Sequence, residues 1–173
     1  MRSPGGVALA LVLGSALVFG LAFGAQAQQQ PNGPVSGLPV PRFVSLKSDR
    51  VNLHEGPSKD HRTLWVFERA GLPVEITAEF ETWRKIRDSE GAEGWVLHSL
   101  LSGRRTAIVA PWKKEPLLLT ASDHATGVAR LAPGVIGNLR KCDGTWCRIA
   151  GQGFDGYMSQ ENLWGVYPGE KIE

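Results

Sequence analysis

Gly71-Leu72-Pro73-Val74, Trp83-Arg84-Lys85-Ile86 and Gly94-Trp95-Val96 are echoed about sixty residues later by Gly134-Val135-Ile136, Trp146-Cys147-Arg148-Ile149 and Gly156-Tyr157-Met158. The leading Gly and the Trp stand twelve residues apart in both copies; the Trp and the next Gly stand eleven apart in the first and ten in the second. Leu100 and Leu163 follow at matching places. A repeat of this length makes each copy one folding unit. Brief apolar runs broken by glycine make that unit a small β-domain.

In the first copy, strands are expected at 51–53, 64–68, 73–79, 84–88 and 94–97. Val74, Ile76 and Ala78 alternate with Glu75, Thr77 and Glu79, the period of a half-buried strand. In the second, strands are expected at 117–120, 127–131, 135–141, 147–150 and 156–158. Ser89-Glu90-Gly91 and Asp143-Gly144 supply turns. Single helical turns are expected at 98–101 and 160–163, and Thr106-Ala107-Ile108-Val109 is a candidate for a strand shared by the copies. No long amphipathic period occurs. About five short strands per unit predict an all-β fold of two small barrels, since closure removes exposed edges.

The start of the chain predicts export. Arg2 precedes an almost purely apolar run at 7–23, and Ala25-Gln26-Ala27 fits a small-x-small cleavage site. Residues 1–27 are expected to be a Sec-type signal peptide cleaved after Ala27. The length of the run leaves an uncleaved anchor helix as the other reading. No Cys follows the run, which argues against a lipid anchor. With cleavage, the protein is expected in the periplasm or secreted, without a stable membrane anchor. Residues 28–42, rich in Gln, Pro and Gly, are expected to form a flexible linker. One unit then spans 43–102 and the other 103–173, and Ser102-Gly103-Arg104-Arg105 is too short a link for independent tumbling.

Charge excludes little beyond nucleic acid. The chain holds 19 Lys and Arg against 17 Asp and Glu. Residues 46–102 carry 8 basic and 10 acidic side chains, and 103–173 carry 9 and 7. Neither imbalance makes a nucleic-acid footprint. Both cysteines, Cys142 and Cys147, lie in the second copy. Two near cysteines in an exported chain predict a disulfide, worth about 2 kcal/mol for so short a loop by chain entropy. A zinc site would need two further ligands, and no Cys or His lies close. Aligning the copies puts Glu79 and Arg84 where the second copy has its cysteines. These two are expected opposite each other on neighbouring strands, as an exposed ion pair worth at most about 1 kcal/mol.

Val51-Asn52-Leu53-His54-Glu55-Gly56-Pro57-Ser58, the Gly-Leu-Pro-Val strand, Trp83 to Ile86, and Gly91-Ala92-Glu93-Gly94-Trp95-Val96 together resemble the bacterial SH3-like domains of exported envelope proteins. The resemblance covers nearly the whole chain after the leader, in two copies. The second copy departs from it where Leu117 to Ser122 lacks the Gly-Pro pair and Tyr157 replaces Trp. The resemblance implies two tandem SH3-like barrels. It also implies a non-catalytic role, binding peptidoglycan peptides or targeting an attached hydrolase to the wall. No hydrolase segment is expected here, and no cofactor.

Candidate binding residues follow from the tryptophans. Trp83 and Trp146 each precede an Ile by three positions. Odd spacing along a strand puts the two side chains on opposite faces. Each Trp is therefore either a partly exposed platform in a shallow groove or a cap on the end of its barrel. Trp112, in an extended Ala110–Lys114 loop, is expected to be exposed. Arg140 and Arg148 belong to a basic group with Arg104, Arg105, Lys113, Lys114 and Lys141. That group either pairs with ligand carboxylates or forms a solvated face. His54, His61, His98 and His124 are scattered, without metal-ligand spacing. No catalytic residue and no metal site is expected. The expected partner is peptidoglycan or, alternatively, an extended segment of another envelope protein, since aromatic grooves accept extended chains.

Overall fold

In a computed structural model of the protein, the described residues are 30–122 and 126–173. The expected signal peptide, with its cleavage site, and His124 lie outside them. Strands β1 (Arg42–Leu46), β2 (Val51–His54), β3 (Thr63–Phe67), β4 (Pro73–Phe80), β5 (Trp83–Arg87), β6 (Glu93–Leu97) and β7 (Leu101–Ser102) build the first sheet. Strands β8 (Thr106–Val109), β9 (Leu117–Thr120), β10 (Gly127–Leu131), β11 (Ile136–Asp143), β12 (Trp146–Gly151), β13 (Phe154–Ser159), β14 (Leu163–Trp164) and β15 (Lys171–Ile172) build the second. A single 3-10 turn precedes β7, and another precedes β14.

The strand orders are β3-β2-β6-β5-β4-β1-β7 and β10-β9-β13-β12-β11-β8-β14, with β15 added beside β11. The second is the first displaced by seven strands. The fold is all-β, two SH3-like barrels in tandem. Apolar side chains from β1 to β6 meet in one core around Leu46, Leu53, Ile76 and Ile86. Those of the second sheet meet around Leu119, Ile149, Met158 and the cysteines. Burying each such Leu, Ile or Val contributes roughly 1.5–3 kcal/mol. Thr106–Val109 is not shared between the barrels. It pairs with β11 and β14 of the second sheet and is the counterpart of β1.

The duplication extends to irregular details. One residue is bulged out of β4 at Thr77 and out of β11 at Arg140, each opposite the middle of the next strand. A bulge bends its strand, and a small sheet must bend to curl on its core. Gly71 and Gly134 both take positive φ, 77° and 82°. Cys142 and Cys147 face each other in register and are joined by a disulfide. Glu79 and Arg84 face each other at the matching register of the first barrel, with Arg84 Nε 3.4 Å from Glu79 Oε1.

This pair departs from expectation in being buried. The Glu79 side chain has 0% and the Arg84 side chain 4% of its surface exposed. The cover is the stretch expected to be a flexible linker. Residues 31–40 fold back through Gly33 N–Leu38 O and Val40 N–Pro31 O bonds. The amides of Val35 and Ser36 and the Ser36 hydroxyl all donate to the Glu79 carboxylate, as does Arg42 Nη2 at 2.8 Å. Gly33 lies so close that an added Cβ would stand 2.5 Å from the carboxylate carbon. Burial pushes the Glu79 carboxyl up, but these donors favour its charged form more strongly and hold it at about 2. Gln, Pro and Gly carry no apolar period, so polar contacts across 43 residues left no sign in the sequence.

The C-terminal segment does the same for the second barrel. β15 pairs with the end of β11, placing Ile172 opposite Cys142. Buried Gln160 donates to Glu170 O at 2.7 Å, and Arg105 grips the Glu170 carboxylate with two nitrogens. Across the junction, Phe43 meets Trp164 edge-on at 5.2 Å and Tyr167 at 4.7 Å. The Tyr167 hydroxyl donates to buried Glu75, and Thr106 Oγ1 donates to Gly71 O. Burial first, then the Glu75 carboxylate, push the Tyr167 phenol up.

Candidate functional site

Alternation along β2 sends Val51 and Leu53 inward and leaves Asn52 and His54 outside. His54 pairs with Trp95 of β6, and Trp83 of β5 stands opposite Leu97. The His54 ring meets the Trp83 ring edge-on, centroids 5.4 Å apart. Beside them the loop from Glu55 to Arg62 is closed by a Glu55 N–Arg62 O bond, by the ion pair of the same two side chains, and by His61 lying over Gly56. His61 O lies 3.0 Å from His54 Nδ1.

These elements enclose a groove of about 430 Å³ lined by Arg50, Asn52, His54, Lys59, Trp83, Leu97 and Leu100. Its floor is aromatic and aliphatic. Among the described residues, the only lining groups with a permanent charge are the two bases Arg50 and Lys59, both exposed. Such a surface can hold an extended ligand by apolar contact and orient it through carboxylates.

The expected site residues fall as follows. Trp83 is on the face opposite Ile86, as its spacing requires, but it is no open platform. It is 6% exposed, because His54 and Leu97 cover it. Only its edge reaches the groove. Trp146 is half-buried opposite Ser159. Trp112 is 54% exposed. Arg140 is exposed at the bulge of β11. Arg148 is exposed but committed: its guanidinium makes two bonds to Asp155, at 2.8 and 2.9 Å, which hold that carboxyl below its usual range. Trp146 and Arg148 share the outer face of β12 with Tyr157 opposite. The structure does not gather the five into one site.

Arg50, Asn52, His54 and Lys59 were missed as candidates. A signal was present, since Val51 and Leu53 as core residues leave Asn52 and His54 outward. Barrel two does not repeat the groove. Gly94 and Gly156 each sit against a backbone carbonyl, where a Cβ would come within 2.7 Å of His54 O or 2.6 Å of Thr120 O. This close approach equates His54 with Thr120, Asn52 with Leu118 and Arg50 with Pro116.

Larger clefts lie between the barrels, one of them of about 550 Å³ between residues 69–71 and 135–138. Another, of about 520 Å³, is lined by Phe43, Trp164, Tyr167 and the Glu75–Arg87 pair. A further one, of about 620 Å³, runs beside β3, where Trp65 is 58% exposed, and reaches Ile108, Pro111 and Gly134. Among the described residues no group of three or more His, Cys, Asp or Glu stands together to hold a metal ion.

Duplicated small barrels with a groove beside a long β2–β3 loop define a tandem SH3-type module. A model of the bacterial SH3 domain matches residues 47–103 and again 116–165, and the chain belongs to that family. No curated protein matches it. Among solved structures it is similar to NlpC2 from Trichomonas vaginalis, at 16% identity and a TM-score of 0.33, covering 72% of this chain and 48% of that one. It is likewise similar to NlpC1 from the same organism, at 16% identity and a TM-score of 0.32, covering 76% of this chain and 48% of that one. The chain thus spans about half the length of both.

Proposed function

We propose that the protein is a non-catalytic binding module of the bacterial cell envelope that recognises peptidoglycan. The observation that carries this reading is the groove of the first barrel: Trp83 and His54 at its floor, Arg50 and Lys59 at its rim, and no carboxylate among the described residues that line it. Stem peptides are extended and carry carboxylates, which two unpaired exposed bases orient. Family membership supports a wall ligand, and the Cys142–Cys147 disulfide supports a location outside the cytoplasm.

Residues 28–173 hold the whole described fold and serve for the test. They are expected to pellet with peptidoglycan sacculi stripped of protein. Arg50→Ala with Lys59→Ala should abolish pelleting while the far-ultraviolet spectrum stays unchanged. Trp146→Ala should leave it intact. Wild-type protein wholly in the supernatant would discard the reading.

One observation favours an adaptor instead. β3 stands at the free end of its sheet, and exposed Trp65 lies over the cleft beside it. A free edge with an adjoining aromatic suits strand addition by an extended protein segment. Binding to envelope extracts that vanishes on stripped sacculi and fails in Trp65→Ala would select this reading.

A further inference from the structure

The outer side of the β9–β10 pair in the second barrel, with the turn before it, is a surface of another character. The pair's inward residues Leu119 and Leu131 are buried in the core. Its outward residues are apolar as well: Leu118 is 49% and Val128 54% exposed, and Trp112, just before β9, is 54% exposed. At Leu118 the fold does not require this, because the first barrel carries Asn52 there; Val128 has an exposed apolar counterpart in Leu64 of β3.

Bases neighbour the apolar side chains, across the strand pair and along the turn. Leu118 stands opposite Arg130 across the β9–β10 pair and lies over Gly127, where an added Cβ would be 2.4 Å from Leu118 Cδ1. Arg130 Nη1 donates to Pro116 O at 3.4 Å, which ties it to the turn carrying Trp112, Lys113 and Lys114. That turn is closed by a Lys113 N–Ala110 O bond of 3.1 Å. Lys113, Lys114 and Arg130 are all exposed, and Glu115 is the one acidic side chain on the turn.

We propose that this face docks on an anionic phospholipid bilayer. Trp112, Leu118 and Val128 enter the boundary between headgroups and acyl chains, as interfacial tryptophan and exposed aliphatic side chains do. Lys113, Lys114 and Arg130 meet the headgroup phosphates. The combination distinguishes a bilayer from a soluble polyanion, which would engage the bases and leave the apolar residues in water.

The test is flotation of residues 28–173 with phosphatidylglycerol–phosphatidylcholine vesicles at low salt, beside vesicles of phosphatidylcholine alone. Flotation is expected with the anionic vesicles only. Lys113→Ala with Lys114→Ala should weaken partitioning about thirtyfold. Leu118→Ser with Val128→Ser should weaken it with the fold intact by circular dichroism. Acyl chains brominated near the headgroup should quench wild-type tryptophan emission and leave the Trp112→Ala protein unquenched. Absence of flotation with anionic vesicles overturns the proposal. So does flotation indifferent to Leu118, Val128 and Trp112, or competition by soluble polyphosphate that is just as strong when those residues are changed. Capture by an acidic protein without flotation overturns it too.

Discussion

On the Glu79 carboxylate converge two amides and one hydroxyl from an arm more than forty residues upstream, and two guanidinium groups from the neighbouring strands β1 and β5. Its folded value, lowered from 4.5 to about 2, has a defined thermodynamic sign. A carboxyl depressed on folding stabilises the native state above its unfolded value and loses that contribution as pH falls through the folded one. The first barrel should therefore lose stability as pH drops from 4.5 towards 2, in thermal unfolding followed at successive pH values. Glu79→Ala should flatten that dependence, leaving the smaller part due to exposed Glu55 and Glu93 with their basic partners. At neutral pH it should cost about 3 kcal/mol, because it leaves Arg84 buried without its carboxylate. A variant with the wild-type acid profile would show that the arm is held by something else.

Among the elements, those with an internal apolar rhythm were legible. β9 and β10 lie at the expected residues, and the remaining expected strands differ by one or two residues at their ends. The cysteine register was legible because the repeat gave an alignment and the turn Asp143-Gly144 fixed it. Other features left no such trace. The arm at 31–40 is held by hydrogen bonds to a distant side chain, which no local pattern encodes. β1 is too short to show alternation, with four of its five residues buried. Spacing left Trp83 open between a platform and a cap, because it gives the face of a strand but not what covers it. The equivalence of the ion pair and the disulfide gives a test at this scale. Cys142→Ala with Cys147→Ala should cost the second barrel about 2 kcal/mol or more in urea unfolding. The first barrel, closed by Glu79 and Arg84, should be indifferent to reducing agent. Loss of both barrels together on reduction would mean that the junction, and not the disulfide, limits stability.

In the molecule as a whole, each barrel is closed at the same end by a different terminus, the arm over Glu79 and β15 over Cys142. The junction of Phe43, Trp164 and Tyr167 then fixes the two in one orientation. Inside, the copies keep the same register, bulges and close approach of a glycine to a carbonyl. Outside, β2 and β9 have diverged: Asn52 lines a groove rimmed by bases where its counterpart Leu118 is exposed and apolar. Gly94 and Gly156 thus act as matching sockets, and the hairpins β2–β3 and β9–β10 as interchangeable plugs. A chimera with residues 50–67 in place of 116–131 should fold, and with Arg50 and Lys59 also removed from the first barrel it should pellet with sacculi through the second. A folded chimera that stays in solution would mean that the groove depends on more than its hairpin. A chimera that binds would make specificity in this architecture a cassette property, one that recombination can move without disturbing the scaffold.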